Sequence, residues 1–226
     1  MAIYLPEHNS LYLHVPKCGG FWVDEALRRV GIARQHVPSP ADETRADCHC
    51  RREDFDGDPD LVFTFIRHPV AWYESVWKYQ SGQPHNWDSW EWHPMWPLRD
   101  LRHHDFPSFI DLVLKHCPGF LTRMYEWYAG DLANPHALIG CVERMPCDFC
   151  VAMVAMGWTS NLGVVPWIEP QHRSNSPVGR PVWRSDQQDA ICYAEHKIIE
   201  RFYPDDESLF ACRAPEVERS EPRGGD

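Results

Sequence analysis

The stretch Leu11-Tyr12-Leu13-His14-Val15-Pro16-Lys17-Cys18-Gly19-Gly20-Phe21-Trp22-Val23-Asp24-Glu25-Ala26-Leu27-Arg28-Arg29-Val30-Gly31 decides the fold. Its apolar opening, residues 11–15, is closed by Pro16 and predicts a buried strand that ends at a turn. Beyond Phe21 the apolar residues Val23, Ala26, Leu27 and Val30 recur at helical spacing, with Asp24 and Glu25 in the first turn and Gly31 at the end. A strand, a glycine-containing turn and a helix form the opening unit of an α/β chain.

Outward from this unit the alternation continues. Residues 33–60 are polar and rich in Pro, Asp, Arg and His, which predicts a loop or a short helix. Leu61-Val62-Phe63-Thr64-Phe65-Ile66 predicts a second buried strand, ending at Arg67-His68-Pro69, with a helix over 70–79. Further helices are expected over 107–116, with Pro107 in its opening turn, and over 118–129 and 146–156, and a third strand over 136–142. The last helix begins at Ser185-Asp186-Gln187-Gln188, a capping-box pattern, and runs to Phe202. Buried strands alternating with helices predict a three-layer α/β/α fold around a central parallel sheet, with ligands at the carboxyl ends of the strands. Residues 1–212 form one expected domain, and 213–226, mostly Arg, Glu, Pro and Gly, a disordered tail. Residues 83–105 carry Trp87, Trp90, Trp92 and Trp96 among His and Pro, which predicts an insertion or lid.

Composition narrows the function. At 226 residues and 43% hydrophobic, the chain has the core of one globular domain. Its 22 Lys+Arg against 33 Asp+Glu give a net charge of −11 and exclude a broad basic surface for nucleic acid, leaving room for a small phosphate pocket. No apolar run is long enough to cross a membrane, and residues 1–10 lack a basic and an apolar leader segment, so the expected location is cytoplasmic, without a membrane partner. Nine cysteines are then expected as reduced thiols. Cys48-His49-Cys50 and Cys147-Asp148-Phe149-Cys150 are too far apart in sequence to specify a metal site, and none is predicted.

Two motifs carry chemistry. Lys17-Cys18-Gly19-Gly20-Phe21-Trp22 sits where a strand gives way to a helix; two glycines let backbone N–H groups converge, the helix dipole adds positive potential and Lys17 adds a full charge, which predicts a phosphate cradle. The lysine precedes the glycines and no Ser or Thr follows to hold magnesium, which disfavours an ATPase or GTPase. Arg67-His68-Pro69-Val70-Ala71-Trp72-Tyr73-Glu74-Ser75 also lies at a strand end entering a helix, with Arg67 and Ser75 placed to reach one phosphate from the side. Taken singly, Arg67 reads better as a cap or a surface ion-pair residue; paired with the lysine loop it reads as a phosphate contact.

Together these motifs resemble those of the sulfotransferases that use 3′-phosphoadenosine-5′-phosphosulfate (PAPS), in particular the bacterial and carbohydrate-type branch. The first is similar to the family's 5′-phosphosulfate loop. The second is similar to its 3′-phosphate element, with the same Arg-to-Ser separation of eight. Asn175-Ser176 and Phe202-Tyr203-Pro204-Asp205-Asp206 give a looser similarity near the end. The resemblance implies a P-loop NTPase-like α/β fold and transfer of the PAPS sulfonate to a hydroxyl or amine of a small-molecule or carbohydrate acceptor, with no metal. It implies that Lys17 stabilises the sulfonate and leaving group, that the backbone of Cys18, Gly19, Gly20, Phe21 and Trp22 holds the 5′-phosphate, that Arg67 and Ser75 hold the 3′-phosphate, and that Trp22 stacks on the base. His36, or else His49, is implied as the general base. Gly20 and Phe21 stand where the family usually carries hydroxyls, so phosphate contacts fall to backbone amides. Arg173, Arg180 and Arg184 form a local positive loop or, equally, a solvated one; Tyr125, Trp127 and Tyr128 read as packing, and Glu143 as a cap or surface residue first and as one that orients a nearby loop second. A non-catalytic binding module descended from such an enzyme, in which Phe21 blocks the sulfonate site and the bisphosphate binds weakly or not at all, and a P-loop-type nucleotide or small-molecule kinase are the competing readings.

Overall fold

The computed structural model describes residues 2–37, 50–81, 96–99, 101, 105–130, 137–168 and 181–205. In chain order these form β1 (Ala2–Leu5), β2 (Ser10–Leu13), α1 (Gly20–Val30), β3 (Gln35–Val37), β4 (Leu61–Ile66), α2 (Pro69–Ser81), α3 (Trp96–Arg99), α4 (Phe106–His116), α5 (Phe120–Ala129), β5 (Ala137–Cys141), α6 (Met145–Ala155), α7 (Gln187–Ala194) and α8 (His196–Phe202). The strand order is β3-β1-β2-β4-β5. Strands β2, β4 and β5 are parallel neighbours, as the alternation with helices predicts, while β1 runs antiparallel to both β2 and β3. The sheet is therefore mixed, not wholly parallel. The extra pair comes from residues 2–5, where the sequence gives no strand signal, and from residues 35–37, within the stretch expected as a loop or a short helix.

Alternation along β4 assigns its two faces. Phe63 and Phe65 are buried with Val23, Ala26 and Leu27 of α1 and Phe149, Ala152 and Met153 of α6. Ile66 joins Trp72 and Val76 of α2, Phe109 and Ile110 of α4, and Leu121 and Tyr125 of α5. Val62 packs with Leu11 and Leu13. Because side chains alternate along a strand, this near-continuous apolar hexapeptide buries both faces at once, and each large side chain contributes roughly 1.5–3 kcal/mol. Thr64, the polar exception, donates its hydroxyl to the Leu13 carbonyl at 2.7 Å, which removes the cost of burying it.

The predicted last helix is two helices, divided at Glu195. That carboxylate is fully buried and accepts hydrogen bonds from Tyr73 Oη (2.8 Å), the backbone amides of Leu121 (2.9 Å) and Thr122 (2.8 Å), and Thr122 Oγ1 (2.7 Å). One side chain thus ties α2 and α5 to the C-terminal pair. The Ser185 cap is not formed: α7 opens after Asp186 without a side-chain cap, and Gln187 Nε2 donates to the Pro107 carbonyl and to Asp111 of α4, both at 2.8 Å. Among the described residues no helix is long and apolar enough to cross a membrane.

Candidate functional site

Strand register brings the two motifs together. Leu13 of β2 is level with Thr64 of β4, so continuing both parallel strands by three residues sets Pro16 beside Arg67. The contacts agree: Arg67 Nη1 donates to the Lys17 carbonyl at 3.2 Å, and Trp72 Nε1 donates to the Pro16 carbonyl at 2.9 Å. On the other side Ile66 is level with Cys141, which puts Glu143 next to His68. Glu143 Oε1 accepts from the His68 amide at 3.0 Å, and its Oε2 accepts from Tyr203 Oη at 2.7 Å. Glu143 thus takes the second of its two expected roles, holding the backbone that follows Arg67.

The loop itself begins as a tight turn. Cys18 N donates to the Val15 carbonyl at 3.2 Å, with Pro16 and Lys17 in the central positions and Lys17 at φ +65°. Proline followed by a left-handed residue is the type II pattern, whose second central position favours glycine or asparagine. Holding a lysine there costs about 1–2 kcal/mol. Its ammonium lies 4.2 Å from the centre of the Tyr79 ring, a cation–π contact. Burial, helped by the neighbouring Arg67 charge, lowers the Lys17 pKa from 10.5 to about 8.

Helix α1 starts directly after this turn. Gly19, at φ +78°, is its N-cap, no side chain caps it, and the first intrahelical bond is Val23 N to the Gly19 carbonyl. The amides of Gly19, Gly20 and Trp22 precede that bond, which makes this helix end the amide-rich, electropositive feature predicted from the sequence. The Cys18 amide is an exception to that expectation, being used within the turn. Gly20 has a steric reason to be glycine: a Cβ there would lie 2.3 Å from ring atoms of His14. The imidazole fills the volume that a side chain at position 20 would need.

Trp22 departs from its expected role. Only 6% exposed, it donates Nε1–H to the Ile168 carbonyl at 3.1 Å and meets Phe149 edge-on with ring centres 5.5 Å apart, so its ring belongs to the core and has no face for a base. Phe21, by contrast, is half exposed. Ser75 is well placed: at 100° per residue it falls on the same stripe of α2 as Trp72 and Tyr79, both of which touch the lysine turn. Arg67 Nε is buried and, among the described residues, has no hydrogen-bond partner.

His36 is not brought to the cation pair. It lies on the edge strand β3, two strands from β2 and level with Tyr12, and its Nε2 is 3.9 Å from Asp24 Oδ1. The runner-up His49, the segment 83–95, Arg173, Arg180, the pair Asn175-Ser176 and the tail 213–226 lie outside the described residues. Arg184 is paired with Asp111 of α4. Among the described residues no group of three His, Cys, Asp or Glu side chains is arranged to hold a metal ion.

Tyr79, Tyr125 and Tyr203 complete the site from α2, α5 and the end of α8; from sequence Tyr79 carries no signal, Tyr125 reads as packing and Tyr203 only as part of the looser similarity near the end. A cavity of about 350 Å³ lies at the opposite end of the sheet, lined by Arg52, Asp60, Val62 and Ala137 near the amino ends of β4 and β5, and shares no residue with the cation pair. No family model matches the chain, and no curated protein or solved structure is found to be similar to it.

Proposed function

We propose that the chain is a PAPS-dependent sulfotransferase built on a three-layer, P-loop-like α/β/α arrangement, with α1 and α6 on one sheet face and α2, α4 and α5 on the other. The observation that carries this reading is the convergence of Lys17 and Arg67, 50 residues apart in sequence, through the 3.2 Å bond at the carboxyl ends of adjacent parallel strands. Two full charges and, among the described residues, one buried guanidinium N–H without a partner and a helix start without a side-chain cap make up a compact anion site in a chain of net charge −11. The order of parts fits a ligand with two separated phosphates: Lys17 and the α1 amides serve one, Arg67 and Ser75 the other.

PAPS supplies the activated sulfonate and leaves as adenosine 3′,5′-bisphosphate. The chain supplies position and charge. Lys17 is a mobile point charge over Tyr79 that neutralises negative charge growing on the leaving oxygen. Burial strengthens that interaction, since less water screens it. Arg67, fixed by its bond to the Lys17 carbonyl, offers directed N–H groups, a geometry that holds a phosphate rather than following it. The acceptor is a hydroxyl or amine of a small molecule or carbohydrate.

Transfer of radiolabelled sulfonate from PAPS to a mixed panel of hydroxyl and amine acceptors tests the reading. Label should move to acceptor with wild type and fall at least about a hundredfold with Lys17→Ala, the size seen when one donor to a developing oxyanion is removed. Magnesium-dependent turnover of ATP with no sulfonate transfer would instead identify a kinase.

A further inference from the structure

We propose that Tyr125 is the positioning residue that locks the Lys17 turn and the Arg67 strand end into one arrangement, so that the two cations act on a ligand as a unit. The inference rests on the anion-site reading above but adds a residue outside both phosphate motifs. Tyr125 lies on α5, is fully buried, and its hydroxyl touches both halves of the site. Oη accepts from the Arg67 amide at 2.8 Å and lies 2.8 Å from Cys18 Sγ. The Cys18 thiol in turn lies 3.4 Å from the Pro16 carbonyl.

Chemistry fixes the direction of this chain. The Pro16 carbonyl can only accept, so the Cys18 thiol proton goes to it; the sulfur then meets Tyr125 as an acceptor, and the Tyr125 oxygen, which accepts the Arg67 amide, turns its proton to sulfur. Burial raises the Tyr125 pKa and pushes the Cys18 thiol up to about 12, so both groups keep their protons at neutral pH. The thiol proton is then free to donate to Pro16. The result is a directed run from Arg67 N–H through the Tyr125 hydroxyl and the Cys18 thiol to the Pro16 carbonyl, which also accepts the Trp72 indole N–H. No carboxylate interrupts it, and phenylalanine at 125 would preserve the packing while removing the one atom common to both halves.

The test is a double-mutant cycle on adenosine 3′,5′-bisphosphate affinity with Tyr125→Phe and Arg67→Ala, measured on protein shown to be folded. Tyr125→Phe should weaken binding about tenfold, and Arg67→Ala should cost less in the Tyr125→Phe background than alone, because a released Arg67 contributes less. Cys18→Ala, which breaks the same run from the other side, should reproduce the loss. A merely structural role predicts a lower melting temperature with unchanged affinity and additive effects, and that result overturns the proposal.

If wild type does not bind the bisphosphate, the sulfotransferase reading fails, and the proposal is decided in the ligand-free protein. There the Lys17 titration, followed by NMR of ε-carbon-labelled lysine, should move upward from about 8 in Tyr125→Phe as the loop opens to water. An unchanged midpoint overturns it.

Discussion

At position 17 the chain accepts two costs at once, a left-handed backbone at φ +65° on a non-glycine residue and a lysine ammonium withdrawn from water. Strain of this kind persists where the surroundings over-determine it, and here the bond from Arg67 Nη1, the Tyr79 ring and the turn behind Pro16 do so. Removing the charge with Lys17→Ala keeps the backbone strain; Lys17→Gly removes both. The glycine variant should be more stable than the alanine variant by roughly 0.5–1 kcal/mol in denaturant unfolding, while both lose anion binding alike. The pH dependence follows from the same burial. With the folded pKa at about 8 and an ordinary value of 10.5, the unfolded chain holds the extra proton between the two, so Lys17 costs stability in full below pH 8 and the cost fades as pH rises to 10.5. Ligand affinity has the opposite trend: bisphosphate binding should weaken as pH rises through about 8. A flat affinity profile from pH 7 to 9.5 would show that Lys17 makes no charge contact.

Among the elements, α2 and α5 position the site without containing the loop motif. Strand β4 and the turn after it are legible because each is written in a few adjacent residues: a hexapeptide of large apolar side chains, then Arg-His-Pro. The side chains that hold that turn were not legible. Tyr125 reaches Arg67 across 58 residues and Cys18 across 107, Glu143 reaches His68 across 75, and nothing in a helical apolar pattern distinguishes a packed tyrosine from one whose hydroxyl joins two loops. The same holds for β3, whose three residues become a strand only because β1 offers a partner, and for Trp22, whose motif position suggested a stacking face while packing against Phe149 decided otherwise. Glu195 is the element-scale test. Glu195→Ala would leave four donors from α2 and α5 buried without an acceptor, and should lower unfolding free energy by about 3–5 kcal/mol. His36→Gln, two strands from the cation pair, should leave bisphosphate affinity within about twofold by calorimetry.

Over the whole molecule, the ends of three parallel strands, the start of α1, the face of α2 and Tyr203 after α8 gather at one end of the sheet, and the positive charge of the site is set against an acidic chain. That contrast makes affinity depend on local directed contacts rather than on a general field. A ligand that binds only the folded state adds to stability by mass action, so bisphosphate at a hundred times its Kd should raise unfolding free energy by about 2.7 kcal/mol and the melting temperature with it. The most direct test of the central claim is calorimetric titration of adenosine 3′,5′-bisphosphate into wild type and Arg67→Ala, with magnesium ATP as the comparison. Wild type should bind the bisphosphate in preference to magnesium ATP and Arg67→Ala should lose that binding; absent binding, or a preference for magnesium ATP, would overturn the sulfotransferase site.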